Sequence, residues 1–100
     1  MNVIEPHIEQ IRNLCVINEV NSLFVFGSAV RDDLGPESDV DLLVDIGDSD
    51  SSSYADKYFN LKFELEKLFR RHIDLLEQQT LSNPYVQREI DETKILLYGG

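Results

Sequence analysis

The run Asp39-Val40-Asp41-Leu42-Leu43-Val44-Asp45-Ile46 constrains this chain more than any other stretch. Read as a strand, its side chains alternate between two faces. Val40, Leu42, Val44 and Ile46 then share one face, while Asp39 and Asp41 point together from the other. Two carboxylates side by side on a rigid strand repel each other unless a cation sits between them. The pattern is a poor way to build a core and a good way to hold a divalent metal.

Other elements follow from periodicity and punctuation. Pro6 suits a first helical position, with Glu5 or Asn2 near the cap, and Ile4, Ile8, Ile11 and Cys15 predict a helix to about Val16. Asn18 to Ser22 reads as a turn, and Leu23 to Phe26 as a fully buried strand. Ser28 to Asp33 reads as a short helix ended by Gly35-Pro36. A strand over about Asp39 to Asp45 comes next, then a small polar, mobile loop from Gly47 to Ser53. Tyr54, Tyr58, Leu61, Leu65 and Leu68 mark an apolar stripe on a helix over Tyr54 to Arg70, with Lys67, Arg70 and Arg71 at its C-terminal end. His72 to Leu76 predicts a third strand. Asn83-Pro84 starts a last helix to about Asp91, capped by Ser82 or Asn83. Ile95 to Tyr98 reads as an exposed apolar tail.

This order predicts one α/β (α+β) domain over residues 1–100, a small mixed three- to four-stranded sheet with helices packed against it. The first two strands are joined by a connection short enough for an antiparallel pair or a tight crossover.

Composition narrows the partners. The chain has 19 acidic and 9 basic residues, a formal net charge of −10. Nucleic acids are bound largely by neutralising phosphates with Lys and Arg. With no basic cluster beyond Arg70-Arg71, direct binding to a nucleic-acid polymer is not expected. A free nucleotide chelated to a metal escapes that conflict. The single Cys15 cannot form an internal disulfide, no apolar run approaches the roughly 20 residues needed to span a bilayer, and the acidic N-terminus is unlike a signal peptide. A soluble cytoplasmic protein is expected.

Candidate chemistry centres on three places. At Gly27-Ser28 a strand-to-helix turn would let backbone N–H groups and the Ser28 hydroxyl hold phosphate oxygens, with Arg31 about one helical turn further on. A Gly-Ser pair alone is more often an ordinary tight turn, and a lone arginine a solvated one. Asp39 and Asp41 are the stronger signal, on an apolar strand at a fixed distance after that turn, with Ser38 shaping its start. Their oxygen-only donor set suits Mg²⁺ or Mn²⁺ rather than zinc. Asp74 interrupts the apolar run Ile73 to Leu76 and joins the pair if the third strand neighbours the second. Asp45, Asp32, Asp33 and Glu37 read as surface charges, His72 as a partly exposed histidine, the tyrosines of the long helix as packing, and Cys15 as core.

Together these residues resemble the nucleotidyltransferase superfamily that includes DNA polymerase β, and within it the minimal nucleotidyltransferases (MNT). The matching residues are Gly27-Ser28, Arg31, Ser38-Asp39-Val40-Asp41 and Asp74 in His72-Ile73-Asp74-Leu75. The resemblance implies the polymerase β-like nucleotidyltransferase fold. It further implies that Asp39 and Asp41 hold Mg²⁺, two ions in all, and that Asp74 completes the metal site and helps deprotonate the acceptor. Gly27 and Ser28 would bind the nucleoside triphosphate, with Arg31 and Ser38 beside them. Small MNT proteins pair with a HEPN-type RNase toxin as its antitoxin. The implied activity is therefore transfer of AMP from ATP to a tyrosine of that partner, in a hetero-oligomer. An acidic surface and an apolar tail suit such a partner. Two other functions are open to the same residues: a metal–nucleotide module that neutralises its partner by occlusion alone, and a transferase acting on a small molecule with a second subunit completing the acceptor site.

Overall fold

The computed structural model describes residues 3–31, 35, 38–47 and 51–99, with only the backbone of 51 and 52. A 3-10 turn over Glu5–His7 leads into α1 (Ile8–Ile17). Then come β1 (Val20–Phe26), α2 (Ser28–Arg31), β2 (Val40–Ile46), α3 (Ser51–Phe69), β3 (Ile73–Glu77), α4 (Pro84–Thr93) and β4 (Ile95–Gly99). The strands form a mixed four-stranded sheet in the order β3-β2-β1-β4. The β1–β2 and β1–β4 pairs are antiparallel, whereas β2 and β3 run parallel. The short connection between the first two strands therefore makes an antiparallel pair.

The alternation along β2 holds. Val40, Leu42, Val44 and Ile46 are buried in one core with Ile11 and Cys15 of α1, Leu61 and Leu65 of α3, and Ile73 and Leu75 of β3. Burial of each such aliphatic side chain contributes about 1.5–3 kcal/mol. Leu43 faces the other way and packs with Phe26 and Ile90, so α4 covers part of the second face. The tyrosines of α3 pack as expected, and their hydroxyls are used as well: Tyr54 Oη donates to Glu77 Oε2 at 2.6 Å and Tyr58 Oη to the Leu75 carbonyl at 2.7 Å. Burial pushes the Cys15 thiol up to about 12, in keeping with an inert core residue.

Several boundaries differ from the expected ones. β1 starts at Val20 rather than Leu23, because the turn before it needs only Asn18 and Glu19. Asn18 closes α1 by donating its backbone N–H and its side-chain amide to the Leu14 carbonyl, and Glu19 takes a left-handed φ of 55° that reverses the chain at once. No side chain caps the 3-10 turn at Ile4, so Glu5 does not serve as its cap. The serines expected in a loop begin α3 at Ser51, three residues before Tyr54. Serine is tolerated in a first helical turn, whose N–H groups have no partner inside the helix. α4 extends to Thr93, two residues beyond Asp91, and of its two proposed caps it is Asn83 that accepts from the Tyr85 and Val86 amides. β3 is displaced by one residue, to Ile73–Glu77.

The largest correction concerns the tail. Ile95 to Tyr98 is not a free end but strand β4, paired with β1. A register shift between Leu23 and Phe24 leaves Leu97 unpaired opposite them, its side chain buried and its carbonyl accepting from Arg12 Nε at 3.2 Å. Only Ile95 and Leu96 remain exposed among its apolar residues. Asn2 as a cap, the charges Asp32, Asp33 and Glu37, Pro36 as a helix terminator and the Asp48 to Asp50 part of the loop lie outside the described residues.

Candidate active site

Two neighbouring strands, β2 and β3, deliver the acidic residues to the end of the sheet where β1 turns at Gly27. Asp41, near the start of β2, lies opposite Phe26 at the end of β1 and in register with Asp74 of β3. Adjacent strands run about 4.8 Å apart, so the two carboxylates occupy neighbouring rungs. Asp39 precedes β2 and is exposed, with His72 Nδ1 3.1 Å from its Oδ2. His72, half exposed, thus bridges the start of β2 to β3, and the Val40 N–H donates to its carbonyl.

The turn after β1 is built around Asp41. Gly27 has φ +71°, and a Cβ there would lie 2.7 Å from Asp41 Oδ2. That close approach, in a left-handed conformation, is what requires glycine. The Gly27 carbonyl accepts from the Val30 and Arg31 amides, starting α2, and its N–H donates to Thr93 Oγ1 at 3.3 Å. Ser28 is half-buried on the first position of α2. Arg31 Nη1 lies 3.4 Å from Glu89 Oε1 of α4.

Ser38 makes a different contribution. Its hydroxyl accepts from the Gly35 N–H at 3.0 Å, and its own N–H donates to the Gly35 carbonyl. Arg71 Nη1 then donates to both the Gly35 and Ser38 carbonyls, at 3.1 and 3.0 Å. Ser38 shapes the approach to β2, as its position before the aspartates suggested, and Arg71 ties that approach to the start of β3. Arg71→Met should therefore lower stability by about 1.5–3 kcal/mol, the range for hydrogen bonds involving a charged group. Thermal melts at fixed pH would read it, and an unchanged melting temperature would remove Arg71 from this role.

The electrostatics of Asp41 bear on a metal. Its carboxyl is pushed up to about 6, first by burial and then by Asp74, Asp39 and Glu89, with Arg31 opposing. Among the described residues, no three His, Cys, Asp or Glu side chains converge, as they stand, closely enough to hold an ion. The donor chemistry nonetheless fits a hard cation: carboxylate oxygens only, crowded enough to repel one another. Asp45 stays outside this group and accepts from Gln79 Nε2 at 3.1 Å, as befits a surface residue.

Two residues near this site, Glu89 and Thr93, carry no sequence signal. They stand on a helix 48 or more positions beyond Asp41 and reach Gly27 and Arg31 only because α4 folds back across the sheet.

Residues 9–100 match the family model described as "Polymerase beta, Nucleotidyltransferase". The chain belongs to this nucleotidyltransferase family. As a nucleotidyltransferase it is similar to a protein of Methanocaldococcus jannaschii named as a protein adenylyltransferase, at 34% identity over 77% of this chain and 76% of that one. Among solved structures, one described as a minimal nucleotidyltransferase superimposes with a TM-score of 0.78 at 24% identity, covering 94% of this chain and 92% of the other. A chain from a toxin–antitoxin structure with AMP-PNP gives 0.72 at 20% identity, covering 93% and 73%. Another, from a tri-AMPylated Shewanella oneidensis HEPN toxin in complex with an MNT antitoxin, gives 0.66 at 18%, covering 96% and 72%. At these identities the structural likeness is one of fold. The enzyme class, transfer of a nucleotidyl group, follows from the family. No described helix of this nucleotidyltransferase is long and apolar enough to cross a membrane.

Proposed function

We propose that this nucleotidyltransferase transfers AMP from ATP to a hydroxyl, a tyrosine, of a HEPN-type toxin and thereby neutralises it. The observation that carries the reading is the register pair Asp41–Asp74 beside the Gly27 turn, a set of oxygen donors against a backbone shaped for close approach. The protein acceptor and the toxin partner are supported by the relatives: an adenylyltransferase named for protein substrates, and a fold neighbour from a complex whose HEPN toxin is AMPylated. A net charge of −10 favours a metal-chelated nucleotide over a nucleic-acid polymer.

Asp39, Asp41 and Asp74 would hold two Mg²⁺ ions, with Mn²⁺ as a substitute. When bound, the metal neutralises charge on the triphosphate and on the departing pyrophosphate. The Gly27 turn, Ser28 and Arg31 orient the phosphates so that the acceptor oxygen meets the α-phosphorus in line, and Ser38 holds the start of β2 in place. Asp74, exposed at the sheet margin, takes the acceptor's proton. The setting is a single cytoplasmic domain working in a hetero-oligomer with its toxin.

The test is incubation with Mg²⁺, each α-labelled nucleoside triphosphate in turn, and the product of the neighbouring gene. Label from ATP on a tyrosine of that product supports the proposal. A stable complex without label would replace it with neutralisation by occlusion, and label on a small alcohol without any partner would replace it with small-molecule transfer.

A further inference from the structure

Two of the groups that the glycine turn would offer a triphosphate, beside Ser28, are already engaged by α4. The Gly27 N–H donates to Thr93 Oγ1 at 3.3 Å, and Arg31 Nη1 lies 3.4 Å from Glu89 Oε1. Glu89 and Thr93 are four residues apart and so stack on one face of the helix. They are also joined to each other, because the Thr93 hydroxyl donates to the Glu89 carbonyl at 2.9 Å. That bond uses the hydroxyl proton and leaves an oxygen lone pair to face Gly27. An oxygen acceptor against an amide, and a carboxylate against a guanidinium, is the complement that phosphate oxygens supply.

We propose that the last turns of α4 stand in for the triphosphate, with Thr93 and Glu89 occupying Gly27 and Arg31 until a metal–nucleoside triphosphate displaces them. This inference rests on the nucleotide-site reading given above. Its consequence is that α4 sets nucleotide affinity by competition rather than by contact with the nucleotide. The pair is suited to exchange: the Arg31 and Glu89 side chains are 45% and 57% exposed, so their separation costs little. Glu89 is also a fourth carboxylate beside Asp39, Asp41 and Asp74, so the anionic phosphates and Glu89 disfavour each other's presence. Displacement therefore releases Arg31 from Glu89.

The experiment is calorimetric titration of MgATP into the wild-type chain and into Glu89→Gln, Thr93→Val, Arg31→Gln and the Arg31→Gln/Glu89→Gln double variant. Both α4 substitutions are close to isosteric, and melting curves confirm that each variant is folded. Glu89→Gln and Thr93→Val should each tighten binding about two- to five-fold, the worth of one exposed ion pair or one neutral hydrogen bond. In the Arg31→Gln background Glu89→Gln should lose most of that gain, because it acts through Arg31. Saturating MgATP should also speed hydrogen exchange in the last turn of α4, which a merely supporting helix would not do. Unchanged or weaker binding in both single variants overturns the competition and makes α4 a support. If the wild-type chain binds no MgATP at millimolar concentration, the nucleotide-site reading fails, and this inference with it.

Discussion

Asp41→Asn should lower nucleotidyl transfer by about 10³-fold while making the folded chain more stable at neutral pH. The loss follows from removing one charged oxygen donor from the centre of the site, a change comparable to deleting a key transition-state contact. The stability gain follows from the environment that makes Asp41 useful. Its carboxyl is raised from the ordinary 3.8 to about 6, by burial first and by the Asp74, Asp39 and Glu89 charges after it. The folded chain thus holds this proton more tightly than the unfolded chain does. The stability associated with that proton is fully present below about pH 4 and is lost as pH rises through about 6. Asparagine never ionises and escapes the loss. Allowing for solvent screening of a partly exposed group, the gain should be about 1 kcal/mol at pH 7.5 and should vanish towards pH 4. Urea melts at the two pH values, beside a single-turnover transfer assay, measure both effects. Mg²⁺ should raise the wild-type melting temperature and leave the variant's unmoved. A variant that transfers within ten-fold of wild type would remove Asp41 from the chemistry.

Gly27→Ala should be the second most damaging change, and for a reason independent of charge. The residue sits at φ +71°, where a side chain costs about 1–2 kcal/mol. The added methyl would also lie 2.7 Å from Asp41 Oδ2, which forces the carboxylate to move. A misplacement of about 1 Å in a catalytic group costs about 10²-fold. Transfer should fall by that order, with a stability loss of about 1–2 kcal/mol. Ser28→Ala, one residue later, adds no atoms and should spare the position of Asp41. Transfer by Gly27→Ala within two-fold of wild type would mean that the space glycine leaves beside Asp41 is not needed.

The placement of Asp41 and Asp74 on adjacent strands was legible because local rules governed it. A strand with apolar residues at alternate positions fixes the face that Asp41 takes, whereas Asp39, expected inside the strand, falls one residue before it and lies against His72. An aspartate inside the short apolar run of β3 has few places to go. The helix over α3 was legible from its stripe. What escaped was settled by distant partners. β4 pairs with a strand some seventy positions earlier, and its bulge sends Leu97 and Tyr98 towards the same core, so the two-residue alternation that would have announced a strand is broken. The start of β1 escaped because Glu19 takes a left-handed conformation usually left to glycine or asparagine. Glu89 and Thr93 escaped because which face of α4 meets the glycine turn depends on where the helix lands, and no motif in α4 encodes that.

The parallel pairing of β2 with β3 sets Val40 against Ile73, Asp41 against Asp74 and Leu42 against Leu75. Slipping β3 by one residue would turn Ile73 and Leu75 outwards and drive Asp74 into the core. Those two side chains are 0% and 4% exposed, so the slip would forfeit a sizeable part of the 5–15 kcal/mol that holds a typical domain together. The spacing of the two carboxylates is thus gauged by hydrocarbon, like a ruler graduated in methyl groups. Truncating Ile73, a residue that never meets a ligand, is then a way to detune the chemistry from beneath.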